Sequence, residues 1–256
     1  MLAFEQAQSL KSEVVNPTKS EEATTTTAPS PDQRIEAAPV AMPTEIPILM
    51  YHHIRDFVDT SDQIGTNLSV SPAKFATQLE LIKSKGYTTT TFEEIASGQA
   101  PSKPIILTFD DGYSNFFESA YPALKLEQMK AVAFVITGET SSDYMTETQI
   151  REINTNGIEV GSHTISHPDL TKISQEKVSL ELKDSKIALE KILGHNIVSL
   201  CYPAGKENSE VVSTAREAGY FYAVTTKYGI GDLKSDNLLL SRYRVNADTN
   251  IAGFLK

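Results

Sequence analysis

Short apolar segments alternate with amphipathic helical segments along most of this chain, and this alternation limits the fold more than any other feature. Strands that are each followed by a helix pair in parallel, because the helix carries the chain back across the sheet. We therefore predict a parallel α/β fold that closes into a barrel. The predicted strands are residues 46–51, 104–109, 131–136, a segment ending at 161, 198–202, 222–225 and 238–245. The predicted helices are residues 72–86, 116–126, 146–157, 175–193 and 209–218.

The first 43 residues differ from the rest of the chain. Residues 16–43 are rich in Thr and Pro and poor in large apolar side chains, so they bury too little surface to offset the entropy of ordering them. We predict a disordered Thr/Pro-rich linker or tail over residues 1–43 and one domain over residues 44–256. The N-terminus lacks the basic start and apolar stretch of a secretory signal. Either the protein is not exported, or the chain begins after a removed signal or anchor, and we favour the second.

Charge and cysteine content exclude some functions. The chain has 23 basic and 33 acidic residues and a formal net charge of −10, which argues against nucleic acid as a partner. No run of residues is long and apolar enough to span a membrane. The only cysteine, Cys201, excludes an intrachain disulfide, and we expect it to be a small buried residue.

Two adjacent carboxylates, Asp110 and Asp111, directly follow the apolar strand that ends at Phe109. In (β/α) barrels the active residues lie at the carboxyl ends of the strands. Carboxylates in such a place are costly unless they are paired or bind a cation. A turn at Asp111-Gly112 is the alternative, since Asp-Gly is a common turn pair.

A histidine pair follows another predicted strand. His163 and His167 are four residues apart, which in a helical turn places both rings on one face, within reach of one ion. One Asp and two His leave part of a metal's coordination open for a water, whose pKa the ion lowers. The second Asp is then available as general base, so the pattern predicts a hydrolase.

A third group of polar residues, Tyr51-His52-His53, ends the first predicted strand. In a closed barrel this end lies on the same rim as the other two clusters. A histidine there is placed to protonate a leaving amine, and a surface histidine pair is the alternative.

At these residues the sequence resembles the polysaccharide deacetylases of carbohydrate esterase family 4, which share the chitooligosaccharide deacetylase homology domain. The family motif T-F-D-D-G is present unchanged at residues 108–112, and H-[ST]-x-x-x-H at residues 163–167. The resemblance covers roughly residues 45–245 and implies a distorted, incomplete (β/α) barrel. It also implies that Asp110 is the general base and that Asp111, His163 and His167 bind a divalent metal, usually Zn²⁺. The implied reaction is hydrolysis of an N-acetyl group from an amino sugar, with release of acetate.

The later family motifs depart from the common pattern. The third usually reads R-x-P-[FY], whereas this chain has Cys201-Tyr202-Pro203-Ala204. The family's arginine orients the catalytic Asp, and the backbone N–H of Ala204 matches the position that stabilises the oxyanion. The fourth motif is missing because the chain has no Trp, and the last strand, L-S-R-Y-R-V over residues 240–245, lacks the histidine of the fifth.

These departures resemble one branch of the family, the poly-N-acetylglucosamine deacetylases of biofilm formation. Members of that branch have a small residue before Y-P-x-G and a Y-H motif on an early strand, which Tyr51-His52 matches. The resemblance implies that His52, ahead of His53, is the catalytic acid. Arg242 is a candidate to replace the missing arginine, and an ordinary surface arginine is the alternative.

Together these observations predict a metal-dependent hydrolase that removes N-acetyl groups from an N-acetylglucosamine-containing polysaccharide: peptidoglycan, a chitin-like polymer or poly-N-acetylglucosamine. An O-acetyl esterase on xylan-like glycans and a glycan-binding pseudoenzyme stay open, although an intact Asp110 argues against the pseudoenzyme. We expect a monomer at the cell surface or outside the cell. The expected glycan-binding residues are Tyr113, Tyr202, Ala204 and Arg242, and Phe117 either lines the groove or packs in the core.

Overall fold

A computed structural model describes residues 43–255. The predicted linker therefore lies outside the described residues, apart from Pro43. The strands are β1 (Glu45–Ile46), β2 (Ile48–Tyr51), β3 (His53–Ile54), β4 (Ser69–Val70), β5 (Thr88–Thr89), β6 (Pro104–Phe109), β7 (Ala131–Val135), β8 (Ile158–Ser162), β9 (Ser199–Cys201), β10 (Tyr222–Tyr228), β11 (Gly231–Asp232) and β12 (Leu240–Arg244). The α-helices are α1 (Gln63–Leu68), α2 (Pro72–Ser84), α3 (Phe92–Ala96), α4 (Tyr121–Leu126), α5 (Glu147–Thr155), α6 (Gln175–Leu193) and α7 (Ser209–Glu217).

Seven parallel strands form a closed barrel in the order β2-β12-β10-β9-β8-β7-β6, and β6 pairs back with β2. The predicted (β/α) barrel is confirmed, and it is incomplete in the sense that it has one strand fewer than the eight of a full (β/α)8 barrel. The short strand β5 pairs with the first residues of β6. Two further pairs, β1 with β11 and β3 with β4, lie outside the barrel.

Helix boundaries follow the capping residues of the sequence. The side chain of Ser71 accepts a hydrogen bond from Lys74 N–H at the start of α2, and Thr146 forms a capping box with Gln149 at the start of α5. The longest helix, α6, begins after Ser174 and ends at Gly194, which adopts the left-handed conformation that favours glycine. No helix within residues 43–255 combines the length and the hydropathy needed to cross a bilayer.

Alternation along the strands separates two hydrophobic cores. One core contains Ile48, Ile106, Val132 and Val224, and the helical residue Phe92 belongs to it. The other contains the strand neighbours of these residues together with the inner faces of α2, α5, α6 and α7. Because side chains alternate along a strand, the first core fills the barrel and the second lies between the barrel and its helices. Residues in the inward register just above the first core therefore point into the barrel, and these include Asp110, His163 and Arg242, whereas Cys201 belongs to that core.

A buried carboxyl group, that of Glu159 on β8, lies in the same inward register toward the other end of the barrel. Its oxygens accept hydrogen bonds from the Ser199 hydroxyl (2.5 Å) and the Glu93 N–H (2.9 Å). Burial is the main cause that raises the pKa of Glu159 from 4.5 to about 7, and the negative charge of Glu93 adds to it. The folded protein therefore holds a proton on this side chain at pH values where the unfolded chain has lost it.

This shift predicts how stability depends on pH. Above about pH 4.5 the unfolded chain ionises Glu159 while the folded protein does not, so the cost to folding grows until about pH 7 and is then constant. In Glu159→Gln, which resembles the protonated carboxyl, this cost is absent. We expect the variant to gain stability relative to the wild type between about pH 5 and pH 8, by on the order of 3 kcal/mol at most. Urea unfolding of the wild type and Glu159→Gln at about pH 5 and about pH 8 measures this gain. The same difference in free energy of unfolding at both pH values would contradict the prediction.

Candidate active site

Polar side chains from five strands meet at the carboxyl end of the barrel. His52 follows β2, Asp110 and Asp111 follow β6, and His163 follows β8. Cys201 ends β9, and Arg242 lies on β12. Adjacent strands are in parallel register, so these chain-distant residues meet at one depth in the barrel.

Asp111, His163 and His167 place their ligand atoms together. Oδ1 of Asp111 lies 3.3 Å from Nε2 of His163 and 3.7 Å from Nε2 of His167. All three ligand atoms lie within 4.8 Å of one another, as the ligands of a single ion must. His163 Nδ1–H donates to the Cys201 carbonyl (2.7 Å), so Nε2 is the nitrogen that faces Asp111 and would bind an ion. Metal-binding histidines are usually oriented in this way, so the donor set fits a divalent metal.

Electrostatics at this cluster also favour a cation. Burial disfavours a charged imidazole, but Cys201 and Asp111 outweigh it and raise the pKa of His163 well above its ordinary value. Burial opposes the charged form of Asp111, and the hydrogen bond with His163 nevertheless lowers its pKa. A divalent cation bound by these side chains would take the place of the proton that His163 and Asp111 share.

The predicted helical turn at His163–His167 is wrong. Residues 163–167 form a loop in which Thr164 (φ 67°) and His167 (φ 54°) adopt the left-handed conformation. Thr164 Oγ1 accepts from His167 N–H (3.0 Å), and Oε2 of Glu181 accepts from the N–H groups of Ile165 and Ser166. His163 and His167 therefore lie side by side as predicted, but in a loop conformation and not in a helical turn. No sequence signal indicates Glu181, a residue of α6 whose carboxylate binds this loop.

Unusual backbone conformations concentrate at this rim. Five non-glycine residues within the described range have positive φ, and four of them lie here: Asp111 (77°), Thr164, His167 and Ala204 (53°). Each such conformation costs about 1–3 kcal/mol and persists only where the surrounding structure holds it. The concentration therefore indicates that these segments are shaped for binding and chemistry.

Asp110 forms a buried ion pair with Arg242. The guanidinium donates to Oδ1 (2.7 Å) and Oδ2 (2.8 Å), and also to Thr108 Oγ1, the Thr225 carbonyl and the Cys201 sulfur. Burial raises the pKa of Asp110, but Arg242 overcomes it and holds that pKa well below the ordinary range. Asp110 is therefore ionised and fixed in orientation at neutral pH.

Arg242 has no exposed surface, so neither the surface-arginine alternative nor a direct contact with glycan fits the structure. It lies instead where a residue that orients Asp110 must lie. The Cys201 thiol is fully buried, as expected, and burial raises its pKa. Asp110, His163 and Cys201 also place ligand atoms within 4.8 Å of one another. Both Asp110 oxygens are occupied by Arg242, however, so the Asp111 cluster is the better metal site.

His52 and His53 have different surroundings. Nε2 of His52 lies 3.9 Å from Oδ2 of Asp110, and its side chain is 12% exposed. Burial lowers the pKa of His52, against the attraction of Asp110 and Asp111. His53 instead stacks on Tyr113 with ring centroids 3.9 Å apart, and its Nδ1 lies 2.9 Å from the Asn115 amide nitrogen. Only His52 therefore faces Asp110.

The other predicted glycan-binding residues separate into two groups. Tyr113 is half-buried between His53 and Tyr144, and Ala204 is exposed in a short 3₁₀ turn over Pro203–Gly205. Tyr202 is fully buried in the outer core, so its side chain is not part of an exposed groove. Phe117 packs against the same core and stacks on Tyr121, in agreement with the core alternative.

Comparisons with known proteins agree with this geometry. A family model described as polysaccharide deacetylase matches residues 97–223. YxkH of Bacillus subtilis (strain 168), which is assigned to the polysaccharide deacetylases, is 32% identical over 218 residues, covering 83% of this chain and 75% of that protein. The Staphylococcus aureus (strain MRSA252) poly-beta-1,6-N-acetyl-D-glucosamine N-deacetylase is 25% identical over 228 residues, covering 78% of each chain.

Among solved structures, the Streptococcus pyogenes deacetylase PplD in complex with acetate superimposes with a TM-score of 0.78 at 35% identity. The match covers 83% of this chain and 97% of PplD. The chain therefore belongs to the polysaccharide deacetylase family, carbohydrate esterase family 4, and is a hydrolase.

Proposed function

We propose that this protein hydrolyses N-acetyl groups on an N-acetylglucosamine-containing polysaccharide and depends on a divalent metal. The observation that carries the proposal is the geometry of the rim, where His52 lies 3.9 Å from Asp110 and the cluster of Asp111, His163 and His167 lies beside them. An acid, a base and a cation site are thus within reach of one scissile bond.

Asp110 acts as general base in this proposal. Its carboxylate is ionised and held by Arg242, so it is ready to accept the proton of an attacking water. Pairing with a guanidinium weakens the carboxylate as a base but fixes its direction. The ion pair therefore makes Asp110 a weaker base but holds its carboxylate in a fixed orientation.

His52 acts as general acid. An amine is a poor leaving group and must be protonated as the carbon–nitrogen bond breaks, whereas the alkoxide of an ester leaves more easily. His52 Nε2 and Asp110 Oδ2 lie 3.9 Å apart, beyond direct hydrogen-bond distance, so one bridging water would carry to His52 the proton that Asp110 has accepted. The presence of this acid favours an N-acetyl over an O-acetyl substrate.

Asp111, His163 and His167 would hold the metal, and we propose Zn²⁺. Two imidazoles and one carboxylate with an open position form a common catalytic zinc site. When bound, the ion polarises the acetyl carbonyl and lowers the pKa of water. We propose the backbone N–H of Ala204, in the turn over Pro203–Gly205, as a further donor to the developing oxyanion.

We also propose that the protein acts as a monomer outside the cytoplasm, at the cell surface or in secreted form. The Thr/Pro-rich composition of residues 16–43 supports this, because such segments often connect an anchor to a catalytic domain. An enzyme at the cell surface or outside the cell would also have access to extracellular polysaccharides, the proposed substrates. Fractionation of the native cells would show where the protein lies.

A substrate panel tests the proposed reaction. Zinc-loaded protein is incubated with a chitin oligomer, a β-1,6-linked N-acetylglucosamine oligomer, a peptidoglycan fragment and acetylated xylan. We expect acetate from at least one N-acetylglucosamine polymer, with one new primary amine for each acetate released. Release from acetylated xylan alone would show an O-acetyl esterase. Release from none of the four by correctly folded, metal-loaded protein would contradict the proposal.

A further inference from the structure

Asn115 lies four residues after Asp111 and contacts the segment that carries His52 and His53. Its Oδ1 accepts a hydrogen bond from the Ile54 N–H (3.0 Å), and its Nδ2 lies 2.9 Å from Nδ1 of His53. One side chain therefore joins the β6 loop to β3, directly beside His52.

These two contacts fix the tautomer of His53. The Ile54 backbone amide is a donor only, so the oxygen of the Asn115 side chain must face it. The amide nitrogen of Asn115, which is also a donor only, must then face His53. Nδ1 of His53 is therefore an acceptor, and the proton of its neutral ring is on Nε2.

Burial and the neighbouring positive charges keep the His53 ring uncharged, in agreement with an acceptor at Nδ1. Protonation would place a second donor on Nδ1, opposite the amide nitrogen of Asn115, and would break this hydrogen bond. The ring is buried and stacked on Tyr113, and the charged groups around it are Arg55, His52 and Asp111. Burial, with the positive charges of Arg55 and His52, lowers the pKa of His53 to about 4 against the attraction of Asp111.

Neighbouring residues of an extended chain point to opposite sides, so fixing His53 outward also fixes His52 toward the barrel axis and Asp110. We propose that Asn115 is a positioning residue of the reaction, which holds His53 as a neutral Nε2–H ring and leaves His52 as the histidine that carries the proton to the leaving nitrogen. The kinetic part of this inference rests on the proposed function, whereas the tautomer does not.

Asn115→Asp is the most direct variant because it keeps the size of the side chain and the acceptor for Ile54 N–H. Its carboxylate cannot donate to Nδ1, so His53 must place a proton there. Nitrogen-15 NMR of the histidine rings distinguishes the two states. We expect Nδ1 of His53 to be unprotonated in the wild type and protonated in Asn115→Asp. Asn67→Asp, an exposed change of the same charge on α1, is the control and leaves the His53 signal unchanged.

The kinetic readout is the division of the effect between kcat and KM. His52 acts only as the bond breaks, so kcat should fall at least about tenfold in Asn115→Asp and Asn115→Ala while KM changes by less than about twofold. Asn67→Asp should retain wild-type kcat. A protonated Nδ1 in wild-type His53 would overturn the tautomer assignment. Unchanged kcat in both folded Asn115 variants would overturn the positioning role. A wild type without any deacetylase activity would refute the proposed function and leave the NMR result to decide the tautomer.

Discussion

Asp110→Asn should lower kcat by about 10²- to 10⁴-fold, the range expected when a general base is removed. The asparagine keeps the shape of the side chain and an acceptor for Arg242, but it cannot take a proton from water. Metal affinity should be retained, because neither Asp110 oxygen belongs to the cluster of Asp111, His163 and His167. Acetate release under saturating substrate, together with a zinc titration of the same preparation, measures both effects.

The change also weakens a buried ion pair, so folding must be checked. Removing one partner of such a pair commonly costs about 3–5 kcal/mol. Asp56→Asn, at an exposed carboxylate, is the matched control and should keep wild-type kcat. A folded, zinc-binding Asp110→Asn protein with kcat within tenfold of the wild type would show that Asp110 is not the base.

His163→Ala should remove metal binding and activity together. His163 provides an Nε2 ligand from a ring that is 2% exposed and fixed by its hydrogen bond to the Cys201 carbonyl. Loss of residues that only orient a ligand typically weakens metal affinity by about 10- to 100-fold, so loss of the ligand itself should exceed this range. Competition with a chromogenic chelator gives the zinc affinity, and acetate release gives the activity.

His195→Ala is a suitable control for this variant, since His195 is exposed and hydrogen-bonded to Asn154 and Asn196, away from the rim. It should bind one zinc with wild-type affinity. If His163→Ala also bound zinc as tightly as the wild type, the ion would not lie at the Asp111 cluster. Full activity of metal-free wild type would contradict metal dependence itself.

Residues that carry chemistry by type and position could be read from the sequence. Asp111 and His163 meet as predicted because each lies within two residues of a strand end, and parallel strands end at one rim. His167 joins them from the loop that begins at His163. The barrel could be predicted because predicted strands and helices alternate along the chain. The helical conformation predicted for residues 163–167 failed because i and i+4 spacing does not distinguish a helical turn from a loop with two left-handed residues.

Residues that act through another side chain could not be found in this way. The family resemblance named Arg242 as a candidate to replace the missing arginine, with a surface arginine as the alternative. Only the structure shows that the strand register turns it into the barrel and against Asp110. Asn115 and Glu181 act through hydrogen bonds to backbone groups far along the chain. Such contacts depend on how loops meet in three dimensions and leave no periodic pattern. Tyr202 shows the opposite case, a motif residue whose side chain is buried in the core.

The measurement that tests this account most directly compares acetate and primary amine released from an N-acetylglucosamine oligomer by zinc-loaded wild type and zinc-loaded Asp110→Asn. We predict equal amounts of acetate and amine from the wild type, no turnover by the chelator-treated wild type, and a loss of at least about 100-fold in Asp110→Asn at equal zinc content. Equal turnover by the two zinc-loaded proteins, or turnover that is unaffected by removing the metal, would contradict it.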